Sequence, residues 1–183
     1  MRFSGPSFGK TAALFALLAA LSAPIFALDG PRAAAPGKAV APLAWLVGGV
    51  WTADASKLGP GMKRIETRYQ WSDNSAFLRF NTHFVMEKRT LKNYDGQFFW
   101  NPAQSSLEVW YTDAGNAITQ GPVRIDGDTM EISFRGEDFE GHPADLRVLV
   151  VRVTNDRYTW DLAEKAGDGW KALASLTYER AGA

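Results

Sequence analysis

From residue 43 onward, apolar and polar positions alternate with a period of two rather than 3.6. Residues 63–71 (KRIETRYQW) put Ile65, Thr67, Tyr69 and Trp71 on one face and Arg64, Glu66, Arg68 and Gln70 on the other. That is the signature of a strand with one buried and one wet face. After a turn at residues 72–75 (SDNS), residues 77–86 (FLRFNTHFVM) repeat it. Leu78, Phe80, Thr82, Phe84 and Met86 share one face; Arg79, Asn81 and His83 share the other. Further strands are predicted at 93–100, 107–112, 117–125, 129–135, 146–153, 158–163 and 170–179, with a first one at 50–54 and an ambiguous stretch at 89–91. Turn residues separate them: Asn101-Pro102, Asp113-Ala114-Gly115-Asn116, Asp126-Gly127, Asn155-Asp156 and Gly167-Asp168-Gly169. Pro122 marks an edge or a bulge.

The count is nine or ten antiparallel strands joined by short connections, none long enough for a crossover helix. The one helical piece expected is a turn at residues 42–47. Short strands at regular spacing indicate a sandwich or a barrel. The succession of hairpins favours an all-β, up-and-down antiparallel barrel, because closure removes the two exposed edges that an open meander would leave.

The first residues carry a different pattern. Arg2 and Lys10 precede an apolar run at 11–21 (TAALFALLAAL), Pro24 interrupts it, and Ala27 offers a small residue at a cleavage point. Residues 1–27 therefore read as a secretory signal peptide. The apolar run falls short of the roughly 20 residues that span a bilayer. Residues 28–42 (LDGPRAAAPGKAVAP) read as a flexible Ala/Pro/Gly leader, and residues 43–180 as a single barrel domain. The expected location is periplasmic or secreted, with no stable membrane anchor after cleavage.

Composition narrows the chemistry. The full chain has 20 basic and 20 acidic residues. Removing residues 1–27 takes away Arg2 and Lys10 and leaves a formal charge of −2, which suits neither nucleic acid nor a basic membrane face. There is no cysteine and there are only two histidines, so thiolate chemistry, cysteine zinc sites and multi-histidine metal sites are not expected. No nucleophile elbow, phosphate-cradling Gly-rich loop or His-Glu-x-x-His motif is present. The aromatic supply is large: 11 Phe, 7 Trp and 5 Tyr. Eight to ten strands enclose a space that side chains fill or that holds one small ligand. Tyr69, Trp71, Trp100, Trp110 and Tyr111 suit the wall of such a pocket, because each pairs an apolar ring with a polar handle.

Two histidines carry the candidate chemistry. If the face holding Arg79, Asn81 and His83 points inward, a cation, an amide and an imidazole line the interior, as ligand contacts or as acid–base groups of an enzyme acting on a small organic molecule. If it points outward, as the apolar opposite face favours, they are an ordinary solvated face. His142 lies in a loop (EGHPAD) near Glu140 and Asp145, a surface setting in which it is a base or weak metal ligand only by exception.

The two ends of the domain make a separate pattern. Gly49 and Trp51 open the first strand, and Arg180 ends the last. In a closed meander those strands are neighbours, so Arg180 can stack on Trp51, with Gly49 giving the backbone room beneath.

Gly-x-Trp at the first strand and Arg after the last resemble the shared signature of the calycin superfamily, which includes lipocalins and fatty-acid-binding proteins. More closely, the chain is similar to bacterial lipocalin-like domains of unknown function. The opening is carried by Leu43, Trp45, Leu46, Gly48 or Gly49, and Trp51; a second motif by Glu66, Tyr69 and Trp71; then come Asn101-Pro102, residues 110–115 and the closing Tyr178 and Arg180. The resemblance implies an up-and-down barrel with Gly49, Trp51 and Arg180 closing one end and a small apolar or amphipathic molecule inside. Nitrobindin-like barrels, which hold haem through a His, are a further relative; neither His83 nor His142 matches their haem-ligand region, and no cofactor or metal is expected. A non-catalytic envelope interaction module is the remaining alternative.

Overall fold

The computed structural model describes residues 37–138 and 140–181. The segment read as a signal peptide lies outside them. Ten strands follow in chain order: β1 (Val50–Asp54), β2 (Met62–Trp71), β3 (Phe77–Met86), β4 (Thr90–Asn101), β5 (Ser106–Thr112), β6 (Ile118–Asp126), β7 (Thr129–Glu137), β8 (Pro143–Thr154), β9 (Arg157–Ala166) and β10 (Gly169–Ala181). Each pairs antiparallel with its neighbours in sequence, and β1 pairs with β10, so the sheet is a closed barrel. The ambiguous stretch at 89–91 belongs mostly to β4.

An up-and-down barrel has two unlike ends. The β2–β3, β4–β5, β6–β7 and β8–β9 turns lie at the end where the domain enters and leaves, here called the floor. The other five connections form the mouth.

The floor is plugged by a 3-10 turn, Ala41–Leu46, with Pro42 in its first positions. A three-residue period stacks Leu43 and Leu46 on one face, and both are buried, at 1% and 0% exposure. The packed domain starts before residue 43. Val40 is buried, and the Gly37 amide donates to the Ser75 carbonyl in the β2–β3 turn. The last residues of the expected leader are thus part of the plug.

Above the plug, Trp51, Leu78, Val109 and Tyr158 are almost fully buried. Trp45, Trp51 and Tyr158 meet with ring centroids 4.8–5.8 Å apart, and Tyr158 stacks on Tyr178 at 4.7 Å. Burying side chains of this size contributes about 1.5–3 kcal/mol each, so the floor half is the main source of stability. Its polar atoms are paired. The Trp51 indole N–H donates to the Leu46 carbonyl at 2.7 Å, and the Thr67 and Thr82 hydroxyls share a 2.9 Å bond.

Candidate functional site

Arg180 pins the floor. Its guanidinium lies 4.2 Å from the Trp51 ring centroid. It donates to the carbonyls of Val47 at 2.7 Å, Asn155 at 2.9 Å, Gly48 and Trp45, and to the Asp156 carboxylate at 3.1 Å. Gly49 has φ +69°, and a Cβ there would stand 3.0 Å from the Arg180 Cγ and 3.1 Å from the Ala181 carbonyl oxygen. The sequence therefore brings Gly49, Trp51 and Arg180 together in one closure. A cleft of about 390 Å³ opens outward beside it, lined by Trp45, Gly48, Asn155 and Arg180. The polar reach of Arg180 is spent on the protein itself, so the cleft offers a ligand no free cation.

The two faces of the barrel wall separate the other candidates. Tyr69, Trp71 and Tyr111 lie on the inner face and pack against the core. Arg79, Asn81 and His83 lie on the outer face, because their neighbours Leu78, Phe80, Thr82 and Phe84 take the inward positions. His83 is flanked there by Glu66 and Lys92 on the adjoining strands. Arg79 and His83 are therefore not interior ligand contacts, and no acid–base site forms around His83 inside the barrel. Trp110 is outside for a simpler reason. Adjacent strand residues point to opposite faces, and Val109 and Tyr111 point in. It borders a shallow outer cleft of about 220 Å³ with Arg79, Asp95 and Gln97. Trp100 pairs with Leu107 at the floor end of β4; it is 46% exposed and lies beyond the packed core.

The inner wall becomes less buried toward the mouth. Phe84, Tyr94, Tyr111, Phe134 and Leu162 face inward yet are only half-buried. In a closed barrel, solvent reaches such side chains through the open end. On the opposite wall the inner positions are small, with Ala53 on β1 and Ala174 on β10. Gly96 keeps β4 flat against the aromatics: a Cβ there would fall 2.4 Å from the Tyr111 Cβ and 2.8 Å from the Phe80 ring. The mouth half is thus an aromatic-lined wall, less buried than the floor beneath it.

Burial sets the chemistry of the phenols. Tyr69 and Tyr111 are pushed up to about 12 by desolvation. Tyr94 is raised by desolvation and then by the Asp113 charge. Tyr158 and Tyr178 are raised further, again by burial first. All remain neutral donors at ordinary pH.

Two groups at the mouth go beyond the sequence reading, the first wholly and the second in its Asp138 member. Glu164 follows Trp160 and Leu162 on the inner face of β9, and its carboxylate accepts from Lys171 Nζ at 2.8 Å. The alternation alone marks Glu164. Lys171 is out of phase with Leu176 and Tyr178, and it turns inward only because a bulge between Ala172 and Ala174 shifts the β9–β10 register. In the β7–β8 loop, ligand atoms of Asp138, Glu140 and His142 lie within 4.8 Å of one another. His142 Nδ1 lies 3.3 Å from Asp138 and 3.6 Å from Glu140; of the two carboxylates expected near it, Glu140 is there, and Asp138 stands in place of Asp145. One oxygen of Asp138 accepts from the backbone amides of Glu140 and His142. These bonds, that to His142 first, hold its carboxyl below the usual range, and they account for the cluster as loop structure.

The large exposed apolar side chains Leu58, Trp100, Ile118, Val153 and Trp170 sit on five different elements, at both ends of the barrel. No helix among the described residues is long and apolar enough to cross a membrane.

The fold is a closed, lipocalin-like barrel. It is similar to that of Rv2717c from M. tuberculosis, known from a crystal structure, with a TM-score of 0.51 over 81% of this chain and all of that one. At 12% identity the likeness is one of fold alone. No protein-family model matches the chain, and no curated protein matches it in sequence.

Proposed function

We propose that the protein is an exported binding barrel that holds a small, largely apolar molecule in the mouth half of its interior. One observation carries this reading: Phe84, Tyr94, Tyr111 and Phe134 face inward and are only half-buried, above a floor whose side chains are almost fully buried. Partly accessible aromatic surface on the inner wall of a closed barrel is the kind of lining that apolar ligands seek.

The test is titration of the purified mature protein with the neutral fluorophore N-phenylnaphthylamine. Saturable binding is expected. Phe134→Ala weakens it about tenfold, the loss of one large apolar contact, and Trp110→Ala on the outer face leaves it unchanged. Absence of saturable binding, or equal loss in both variants, refutes the reading. Export is tested separately by sequencing the N-terminus of the protein recovered outside the cytoplasm. A start at Leu28 supports it, and a retained residue 1 overturns it.

A further inference from the structure

Outward positions of a barrel strand face water, and alternation fills them with polar residues. The outer wall of β3 to β6 departs from that pattern. Cross-strand partners set Arg79, Gln97, Trp110 and Gln120 side by side in one row across the four strands. The next outward row toward the floor holds Phe77, Phe99, Glu108 and Pro122. The Arg79 guanidinium lies 5.2 Å from the Phe77 ring centroid. The shallow cleft of about 220 Å³ opens along the first row, with Arg79, Asp95, Gln97, Trp110 and Thr112 among its lining.

The polar ends facing this cleft are uncommitted. Of the row's four residues only Gln120 has a side-chain hydrogen bond among the described residues, to Glu108 at 2.5 Å. Glu108 is buried and also accepts from Asn101 and Ser106, so its carboxylate is closed to a ligand. The carboxylate of the cleft itself, Asp95, is paired with Lys92. On the β2 side the row continues with Gln70, and Arg68 stands one outward step toward the mouth. Arg79 has no acidic partner among the described residues.

We propose that this cleft binds an acidic saccharide, with a sugar ring laid on Trp110, its hydroxyls bonded by Gln97 and its carboxylate held by Arg79. The site is on the opposite side of the wall from the interior and does not depend on what the interior holds. A shallow cleft grips one face of a ligand, which suits a flat ring. A pyranose presents C–H groups that pack on an indole face. Its hydroxyls both donate and accept, as the Gln97 amide does. A guanidinium takes a carboxylate through two parallel bonds. A purely apolar ligand would leave these polar ends unpaired, a simple anion would leave the indole bare, and a cation would find only a carboxylate that is already paired.

Calorimetric titration of the mature protein with trigalacturonate, trimannuronate, neutral cellotriose and the non-sugar triacid tricarballylate tests the class. At least one oligouronate should bind saturably, about tenfold more tightly than cellotriose or tricarballylate, the gain from one charge-assisted pair. Arg79→Gln should bring that oligouronate to the level of cellotriose, and Trp110→Ala should weaken it about tenfold or more. A cooperative urea transition reports that each variant is folded; Arg79 is an exposed outer residue, so its variant decides the matter even where Trp110→Ala is unstable. Absence of binding by both oligouronates, cellotriose or tricarballylate binding equally well, or an affinity that survives Arg79→Gln overturns the proposal. Displacement of N-phenylnaphthylamine is not expected from any of the four probes, so the outer site and the interior stand or fall separately.

Discussion

Replacing Arg180 with Ala removes the contact that ties the last strand to the entry of the first. The side chain is 10% exposed and donates to four backbone carbonyls and one carboxylate. Losing a hydrogen bond to a charged donor costs about 1.5–3 kcal/mol when its partner stays unsatisfied. Water from the adjoining cleft rehydrates some of these carbonyls. With roughly two left uncompensated, at the low end of that range because these contacts border the cleft, and the cation–π stack on Trp51 worth about 0.5–2 kcal/mol, the loss is about 3.5–5 kcal/mol. Domains of this kind have about 5–15 kcal/mol in total, so roughly a quarter or more of the stability is at stake. With a urea m-value of about 2 kcal/mol/M, the unfolding midpoint followed by tryptophan fluorescence should fall by about 2 M. Arg180→Lys is the control. It keeps the charge and loses the planar fork that reaches carbonyls on both sides, so it should recover less than half of the shift. A fall of less than about 0.5 M for Arg180→Ala, or a lysine variant equal to the parent, would show that the plug holds without the fork.

Gly49→Ala sets a Cβ 3.0 Å from Arg180 at φ +69° and should cost about 1–3 kcal/mol, read as a lower urea midpoint; an unchanged midpoint would mean that the crossing relaxes freely. Gly96→Ala places a Cβ 2.4 Å from the Tyr111 Cβ, so it should destabilise the barrel and also weaken fluorophore binding, because Tyr111 must move; binding and midpoint both unaltered would contradict the close packing of β4 on the inner-wall aromatics. All five tyrosines are held above their ordinary value, so the folded protein keeps phenol protons that the unfolded chain releases above about pH 10. Stability is thus unaffected by them below pH 10 and falls as pH rises toward 12 and beyond, by up to about 1.4 kcal/mol per pH unit for each phenol. Tyrosinate absorbance should appear together with unfolding, and any phenol ionising near pH 10 in the folded barrel would break this account.

Much of the architecture is written in the period of two, because a one-sided strand must repeat its apolar residues at every second position. Closure is legible too: Gly49-Val50-Trp51 opens and Arg180 ends a meander whose first and last strands can meet only if the sheet closes. The interior was harder to read, for reasons tied to particular residues. Alternation within β3 groups Arg79, Asn81 and His83 but does not say which face is inside; the apolar opposite face says so, and the structure follows it. Trp110 and Tyr111 cannot share a face, so composition had to give way to phase. Trp100 has the right phase and the wrong height, and height along a strand depends on where the plug sits. Lys171 was beyond reach, since only the bulge at Leu173 turns it inward.

The same topology that seals the floor leaves the inner wall less buried toward the mouth. β1 is the shortest strand, five residues, against thirteen in β10. It covers β10 only from Val50↔Ala181 to Ala53↔Tyr178. Closure of the barrel is therefore concentrated at the floor, where Arg180 and the 3-10 turn add side-chain and plug contacts to the ladder. Toward the mouth, β10 runs on past the end of β1, and the bulge at Leu173 falls in this less constrained length. A bulge twists a strand and re-aims its side chains; here it puts Lys171 opposite Glu164. A longer β1 would hold β10 straight and turn Lys171 outward, leaving Glu164 without a partner on the inner wall. The shortness of the first strand, the bulge in the last and the inward ion pair are thus one structural device, and it lies where the inner wall is most accessible.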